Sequence, residues 1–444
     1  CALYPVLAGS ALGDIGVDAL AEAVGALCRT DYARREGEPF SAKAYRVRRV
    51  GGVRYTYVKV TSGVLRARDE VRTISGVCKV AAILAPQGGR LLPMGEAHAG
   101  QTAALAGLSA RPGERIGDGF GLEAPETVPL MSVQVEPTAP LTQSALLAHL
   151  REMEEEDPLL SVRPEADGVS VGVMGAVQVE VLQGILAARF GDAVRMCPPH
   201  VLYKETIAAP VVGIGHYEPL RHYAEVWLKL EPGAPGSGIS FAADCPPNSL
   251  DENWQRLIRT HVFERAHPGV LTGSPLCDVR IRLIAGRAHL KHTEGGDFRE
   301  ATCRAIRNAL MQAENVLLEP VVRFELAMPN EALARVTGEL LRIGAQLDAS
   351  ETDGGETTLT GRCTAAMFWD YPTRFAASTH GHGRIASRFD RYEPCKNRDD
   401  IVRQSGYDPL ADTLNPPGSV FCSHGAGFYV AWDHVREWAH CEVE

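Results

Sequence analysis

The chain has 444 residues, 45% hydrophobic and 23% charged, the composition of a globular protein with room for several domains. Its formal net charge of -10 excludes a protein that coats nucleic acid through overall charge, while leaving room for a local basic face. No apolar run reaches membrane-spanning length, no signal peptide opens the chain, and the eleven cysteines form no CxxC pair; the expectation is a cytoplasmic protein with reduced thiols and no membrane contact.

In chain order, the first segment reads "YPVLAGSALGDIGVDALAEAV". An apolar run from Tyr4 to Leu7 meets a turn of Gly9, Ser10 and Gly13, and Val17, Leu20, Ala21 and Val24 then recur at helical spacing. The pattern predicts a strand, a loop and an amphipathic helix, the closing βα unit of an α/β domain. A lone βα unit cannot cover its own faces, so residues 1–38, starting at Cys1, read as the C-terminal remnant of a larger domain.

Residues 39–126 turn to Val, Gly and Arg. Tyr57, Lys59 and Thr61 alternate with Val58, Val60 and Ser62, which predicts a β-barrel. Residues 127–199 run β-α-β-β-α-β, a ferredoxin-like order: "LMSVQV", a helix over Gln143–Glu155, "LLSVRP", "VSVGVM", a helix over Val177–Phe190 and a strand near Val194. Residues 200–319 are mixed α/β. The strand "HYAEVWLKLEP" and a helix over Asn253–Ala266 precede "CDVRIRLIAG", where Val279, Ile281 and Leu283 share one face and Arg280 and Arg282 the other. The loop "RAHLKHTEGG" then leads into a long helix through Leu317, with Asp297 as its N-cap.

Residues 320–395 repeat the ferredoxin-like order. "VVRFELAM" is a strand, Asn330 caps a helix, "GAQLDAS" and "TTLTGRC" pair through Asp353-Gly354-Gly355, and a helix over Ala365–Ala377 precedes the strand "RIASRFDRYEP". Residues 396–444 form a C-terminal extension around "GSVFCSHGAGFYV". The fold class is multidomain α+β.

This order of parts resembles elongation factor G and its relatives, most closely the tetracycline-resistance ribosomal protection proteins, over roughly residues 4–395. "GSALGDIGVDALAEAV" resembles the last GTPase motif, "SVQVEPTAP" and "GVMGAVQVEVL" the third domain, "YKETI" the opening of the fourth, and "LLEPVVRFELAMP" the passage into the fifth. The resemblance implies a ribosomal protein S5 domain 2-like fold for the 200–319 domain. It also implies the ribosome, RNA and proteins together, as partner, and a monomer. A full-length relative would be a GTPase with GTP as cofactor. Here neither GxxxxGK[ST] nor NKxD occurs, and "DGFG" at Asp118–Gly121 reads as a turn. Ser10, Ala11 and Leu12 would contact guanine only beside the rest of a GTPase domain, so this chain alone should neither bind nor hydrolyse GTP. The implied function is ribosomal protection; the alternatives are an elongation factor G-like translocase paralogue or a non-enzymatic ribosome-binding or assembly module.

The candidate RNA contacts are Arg280, Arg282, Arg287, His289, Lys291 and His292, because the matching loop of the family's fourth domain enters the decoding region. Cationic and imidazole groups there can hold phosphates and pair with or stack on bases. On residues alone the default is a solvated loop; the resemblance reverses it. The loop lacks the Tyr-Ser-Pro-Val type sequence of the classical resistance proteins. Other clusters carry less. His380 and His382, with Cys395, Cys422 and His424, lack paired zinc-ligand spacing, and no metal or catalytic residue is expected. The acidic run Glu152 to Asp157 and the basic stretch "RVRRVGGVR" from Arg46 read as solvated faces.

Overall fold

Alternation along Val53–Ser62 sends Thr56, Val58, Val60 and Ser62 inward, as the period of two requires. In the computed structural model, which describes residues 5–122, 129–165 and 168–441, this strand is central to a seven-stranded antiparallel sheet. The sheet order is Gly121–Leu122, Glu114–Gly117, Ser41–Val50, Val53–Ser62, Thr102–Ala106, Ala82–Gln87 and Arg90–Pro93. Two short ladders, Val64–Arg66 with Glu96–His98 and Glu70–Thr73 with Gly76–Lys79, stand apart from it. The expected β-barrel is therefore not closed among the described residues. The physical reason lies in those short strands, which pair only with each other and leave the ladder open. Side chains bridge one gap: Glu114 Oε1 accepts the Ile74 N–H at 2.8 Å.

The chain divides into two units, Cys1–Glu126 with Pro137–Val169, and Thr127–Glu136 with Ser170–Glu444. In the first, the helix Val17–Leu27 forms as expected, yet none of its residues is buried. Val17, Leu20, Val24 and Leu27 make an exposed apolar stripe. Tyr4 lies outside the described residues, as do Cys1 and the 126/127 boundary, and residues 5–9 form no strand. The acidic helix end is not a solvated face. Glu155 pairs with Arg49 and Arg54 at 3.1 Å, and Glu156 accepts the Arg49 N–H at 3.0 Å. Where "LLSVRP" was expected as a strand, a 3-10 turn over Pro158–Leu160 and a two-residue strand occur.

The second unit holds three sheets. Val169–Val173, Met131–Pro137 and Val194–Met196 are neighbours in the first, with the helix Ala176–Phe190 following in sequence. The second is built on Asn315–Pro329, a 15-residue strand that pairs with Lys204–Ile207, Glu356–Thr364 and Arg384–Pro394. It runs straight through the 319/320 boundary. The helix expected to reach Leu317 ends at Gln312, because Asn315 Nδ2 donates to the Leu310 and Ala313 carbonyls and closes it. Asn330 does not cap a helix. Its Oδ1 accepts from Thr357 Oγ1 at 2.7 Å, and the helix begins at Leu333. The hairpin at Gly354-Gly355 forms as read, Asp353 facing Glu356. Pro372 cannot donate back to Phe368, so the helix expected over Ala365–Ala377 splits into Ala365–Phe368 and Tyr371–Ser378.

The third sheet has six strands, in the order Ile239–Ala243, Val279–Ala288, Ala224–Pro232, Val211–Tyr217, Ser419–Ser423 and Ala426–Val430. The last two come from the C-terminal extension. The helix Gly295–Gln312 packs on this sheet through small residues. A Cβ at Gly215 would fall 1.9 Å from the Ala301 carbonyl oxygen, and one at Gly213 2.0 Å from that of Ala305. Only glycine admits so close an approach. Ten cysteines are free among the described residues, four of them buried, and no described helix is long and apolar enough to cross a membrane.

Candidate functional site

Val279–Ala288 carries the chain to an exposed loop at one end of the six-stranded sheet. Val279, Ile281 and Leu283 are buried and fix which face the arginines take. Arg280 is exposed opposite Glu231 and Ser240. Arg282 is engaged by Asp244 and by Glu231 at 3.4 Å. Arg280 lies eight residues from the strand's loop end, about 26 Å away. The six predicted RNA contacts thus split: Arg287, His289, Lys291 and His292 come together at the loop, while Arg280 and Arg282 stand apart from it.

The loop is held by its own backbone. His289 N–H donates to Thr293 Oγ1 at 2.7 Å, and the His292 and Thr293 N–H groups donate to the His289 carbonyl at 3.1 and 3.0 Å. Thr293 Oγ1 ties the loop to the Tyr223 carbonyl at 2.6 Å. Glu294, not Asp297, is the N-cap of the next helix. Asp297 instead closes a capping box by accepting the Glu294 N–H at 2.8 Å. The rings of His289 and His292 stack at 4.6 Å, and Leu290 between them is fully exposed. Tyr223, Arg287, His289, Leu290, Lys291 and His440 line an open groove.

His440 was not legible in the sequence as part of this site. The extension places it there: Tyr223 Oη and His440 Nδ1 are 3.0 Å apart, with the rings parallel to within 10°. Beneath them Glu225 is fully buried. Its carboxylate accepts His216 Nδ1, Trp227 Nε1 and the His440 N–H at 2.8 Å each, and the Cys441 N–H at 2.7 Å. Burial pushes this carboxyl up, but hydrogen bonds led by that from His216 outweigh it and hold it at about 2. Burial lowers His440 and raises the Tyr223 phenol. The one signal available was Glu225 itself, an acid beside Trp227 in a strand of large apolar residues.

His216, Glu225 and His440 form the one group of metal-ligand type found among the described residues, their ligand atoms within 4.8 Å. Those atoms are already committed. Glu225 takes four N–H donors, and the His216 nitrogens face Glu225 and Glu218 at 2.8 and 3.1 Å. The arrangement fits a hydrogen-bonded clamp better than an ion. Ser10, Ala11 and Leu12 sit in an exposed turn closed by paired Ser10 and Ile15 backbone bonds of 2.9 and 3.0 Å, with Leu12 pointing to solvent.

Residues 199–314 match the family described as elongation factor G, domain IV, and residues 316–401 match elongation factor G C-terminus. A crystal structure of a protein from Thermus thermophilus is similar in fold, with a TM-score of 0.52 and 24% sequence identity. The similarity covers 88% of this chain and 61% of that one. The exposed loop thus lies inside the domain IV match, between its last long strand and its closing helix. Residues 199–401 belong to the elongation factor G-like family, as its domain IV followed by its C-terminal domain.

Proposed function

We propose that this chain is the post-GTPase portion of a ribosome-binding translational factor of the ribosomal protection type. One observation carries the reading: the domain IV match contains an exposed loop that gathers Arg287, His289, Lys291 and His292. Cations and imidazoles there suit phosphate and base contacts on structured RNA. The exposed stripe of Val17, Leu20, Val24 and Leu27 supports a second element of the reading, a GTP-binding domain that covers it. In such a protein GTP stabilises the ribosome-bound form and its hydrolysis releases it. Ser10, Ala11 and Leu12 then contribute to the guanine pocket, and this chain alone does not bind GTP.

The test uses a protein with this chain joined to a complete GTP-binding domain, in translation blocked by tetracycline. Ribosome-stimulated GTP turnover that restores synthesis supports protection. Stimulated turnover without rescue points instead to a translocase-like factor. Absence of any ribosome binding overturns the reading and leaves a family architecture turned to another partner.

A further inference from the structure

A cavity of about 60 Å³ lies where the helix Gly295–Gln312 and the residues after the helix Glu252–Phe263 meet the C-terminal extension. Arg265, Arg299, Cys303 and Arg304 line it from the helices, Asn415 and Pro416 from the extension. At about 10–15 Å³ for one water, that is room for a few waters or a single tetrahedral oxyanion. Asn415 and Pro416 lie beyond residue 401, the last one matched to the elongation factor G C-terminus, so the extension completes this cavity.

The three guanidiniums have partners, but those partners leave them short of acceptors. Arg265 donates to Asn415 Oδ1 at 2.8 Å, a neutral amide rather than a carboxylate. Arg299 forks Glu264 at 2.8 and 3.3 Å, and Glu264 is shared with His261, whose Nδ1 lies 3.0 Å away. Arg304 is 9% exposed; it donates to the Gly418 carbonyl at 2.8 Å and reaches Glu300 only at 3.5 Å. Its Nε–H is buried and meets no acceptor. A charged donor shut away from water without an acceptor costs stability. Glu300 is the one carboxylate on the cavity wall, against three guanidiniums. The field shows at Cys303, where burial pushes the thiol up and the Arg265 guanidinium pulls it back.

We infer that this cavity binds a doubly charged tetrahedral oxyanion of phosphate size, held by Arg265, Arg299 and Arg304, which fastens residues 414–418 of the extension to the Gly295–Gln312 helix. Guanidinium forks match phosphate oxygens in pairs, and the anion supplies the acceptors that this cluster lacks. The small volume and the buried Arg304 suit a free ion or the end of a phosphomonoester. A diester within a nucleic acid carries one charge and is flanked by bulk on two sides. The site uses none of the residues of the His289 loop.

The test is isothermal titration of inorganic phosphate into the full chain, in chloride buffer at constant ionic strength. One saturable site is expected. Arg265 and Arg299 are exposed, so Arg265→Gln and Arg299→Gln should each keep the far-UV circular dichroism of the unaltered chain and weaken phosphate about ten-fold. Phosphate should also slow alkylation of Cys303 by iodoacetamide, followed by peptide mass, while leaving that of the exposed Cys28 unchanged. Tighter binding of glycerol phosphate than of inorganic phosphate assigns the site to a monoester end, and weaker binding to the free ion; either supports the inference. No saturable binding, equal affinity for the monoanion dimethyl phosphate, or unchanged affinity in both variants overturns it. Lys291→Gln should bind phosphate as the unaltered chain does, and loss of phosphate binding there overturns the inference while leaving the proposed function standing.

Discussion

The buried carboxylate of Glu225 accepts the backbone N–H of His440 at 2.8 Å, joining a central strand of the six-stranded sheet to the end of the chain. Because Glu225 also takes His216, Trp227 and Cys441, the extension is part of this domain rather than an appendage. Glu225→Gln puts an amide N–H₂ where donors already point. The expected loss is about 3–5 kcal/mol in urea unfolding, with earlier proteolytic cleavage near His440. Unchanged stability contradicts the clamp.

Acid should act on this unit in two stages. His267 is buried and neutral, its Nε2 2.9 Å from the Val262 carbonyl, and burial lowers its pKa below the usual 6.5. A depressed histidine favours the fold above its unfolded pKa, so stability should fall as pH drops below about 6.5. Glu225, held at about 2, contributes stability above the ordinary carboxylate value that is lost as pH falls from about 4.5 towards 2. Melting temperatures across pH check both, and His267→Gln should flatten only the upper stage.

Arg307 is nearly buried and binds two segments at once. It donates to the Pro268 and Gly269 carbonyls at 3.1 and 2.8 Å, and to Tyr407 Oη and the Pro409 carbonyl at 2.7 and 3.3 Å. Arg307→Leu leaves these acceptors without their donor, at a cost of about 3 kcal/mol. Arg307→Lys should recover only part, since an ammonium cannot reproduce the planar fork. Urea midpoints and protease mapping of residues 405–416 check both.

Gly215→Ala should cost about 3 kcal/mol by forcing the Gly295–Gln312 helix off the sheet, since its Cβ meets the Ala301 carbonyl at 1.9 Å. Gly296→Ala, where nothing lies within 4 Å, serves as the control and should change little. Unchanged stability in Gly215→Ala would show that close packing does not govern this interface.

Much of the fold was legible because local signals agreed with tertiary ones. The alternation in Val53–Ser62 and the two-glycine hairpin at Gly354-Gly355 each encode their own structure. What escaped was encoded at long range. Arg304 and Asn308 are polar and buried: Arg304 donates to the Gly418 carbonyl and Asn308 to that of Trp432. Their partners lie more than a hundred residues on, and no periodicity announces them. The same holds for the loop. Its cations were visible in order, but His440 reaches it through Tyr223 and Glu225, far away in sequence, and the distance to Arg280 follows from the extended strand between them.

The most direct measurement is the affinity of the chain for ribosomes by co-sedimentation, with His289→Ala, Lys291→Ala and His292→Ala combined. These side chains are exposed, so urea stability should stay within about 0.5 kcal/mol of the unaltered chain. The account predicts ribosome binding by the unaltered chain and a loss of about ten-fold or more in the triple variant, the scale of a few phosphate and base contacts. Undiminished binding by a stably folded triple variant would contradict the claim that this loop is the part of the molecule that meets ribosomal RNA.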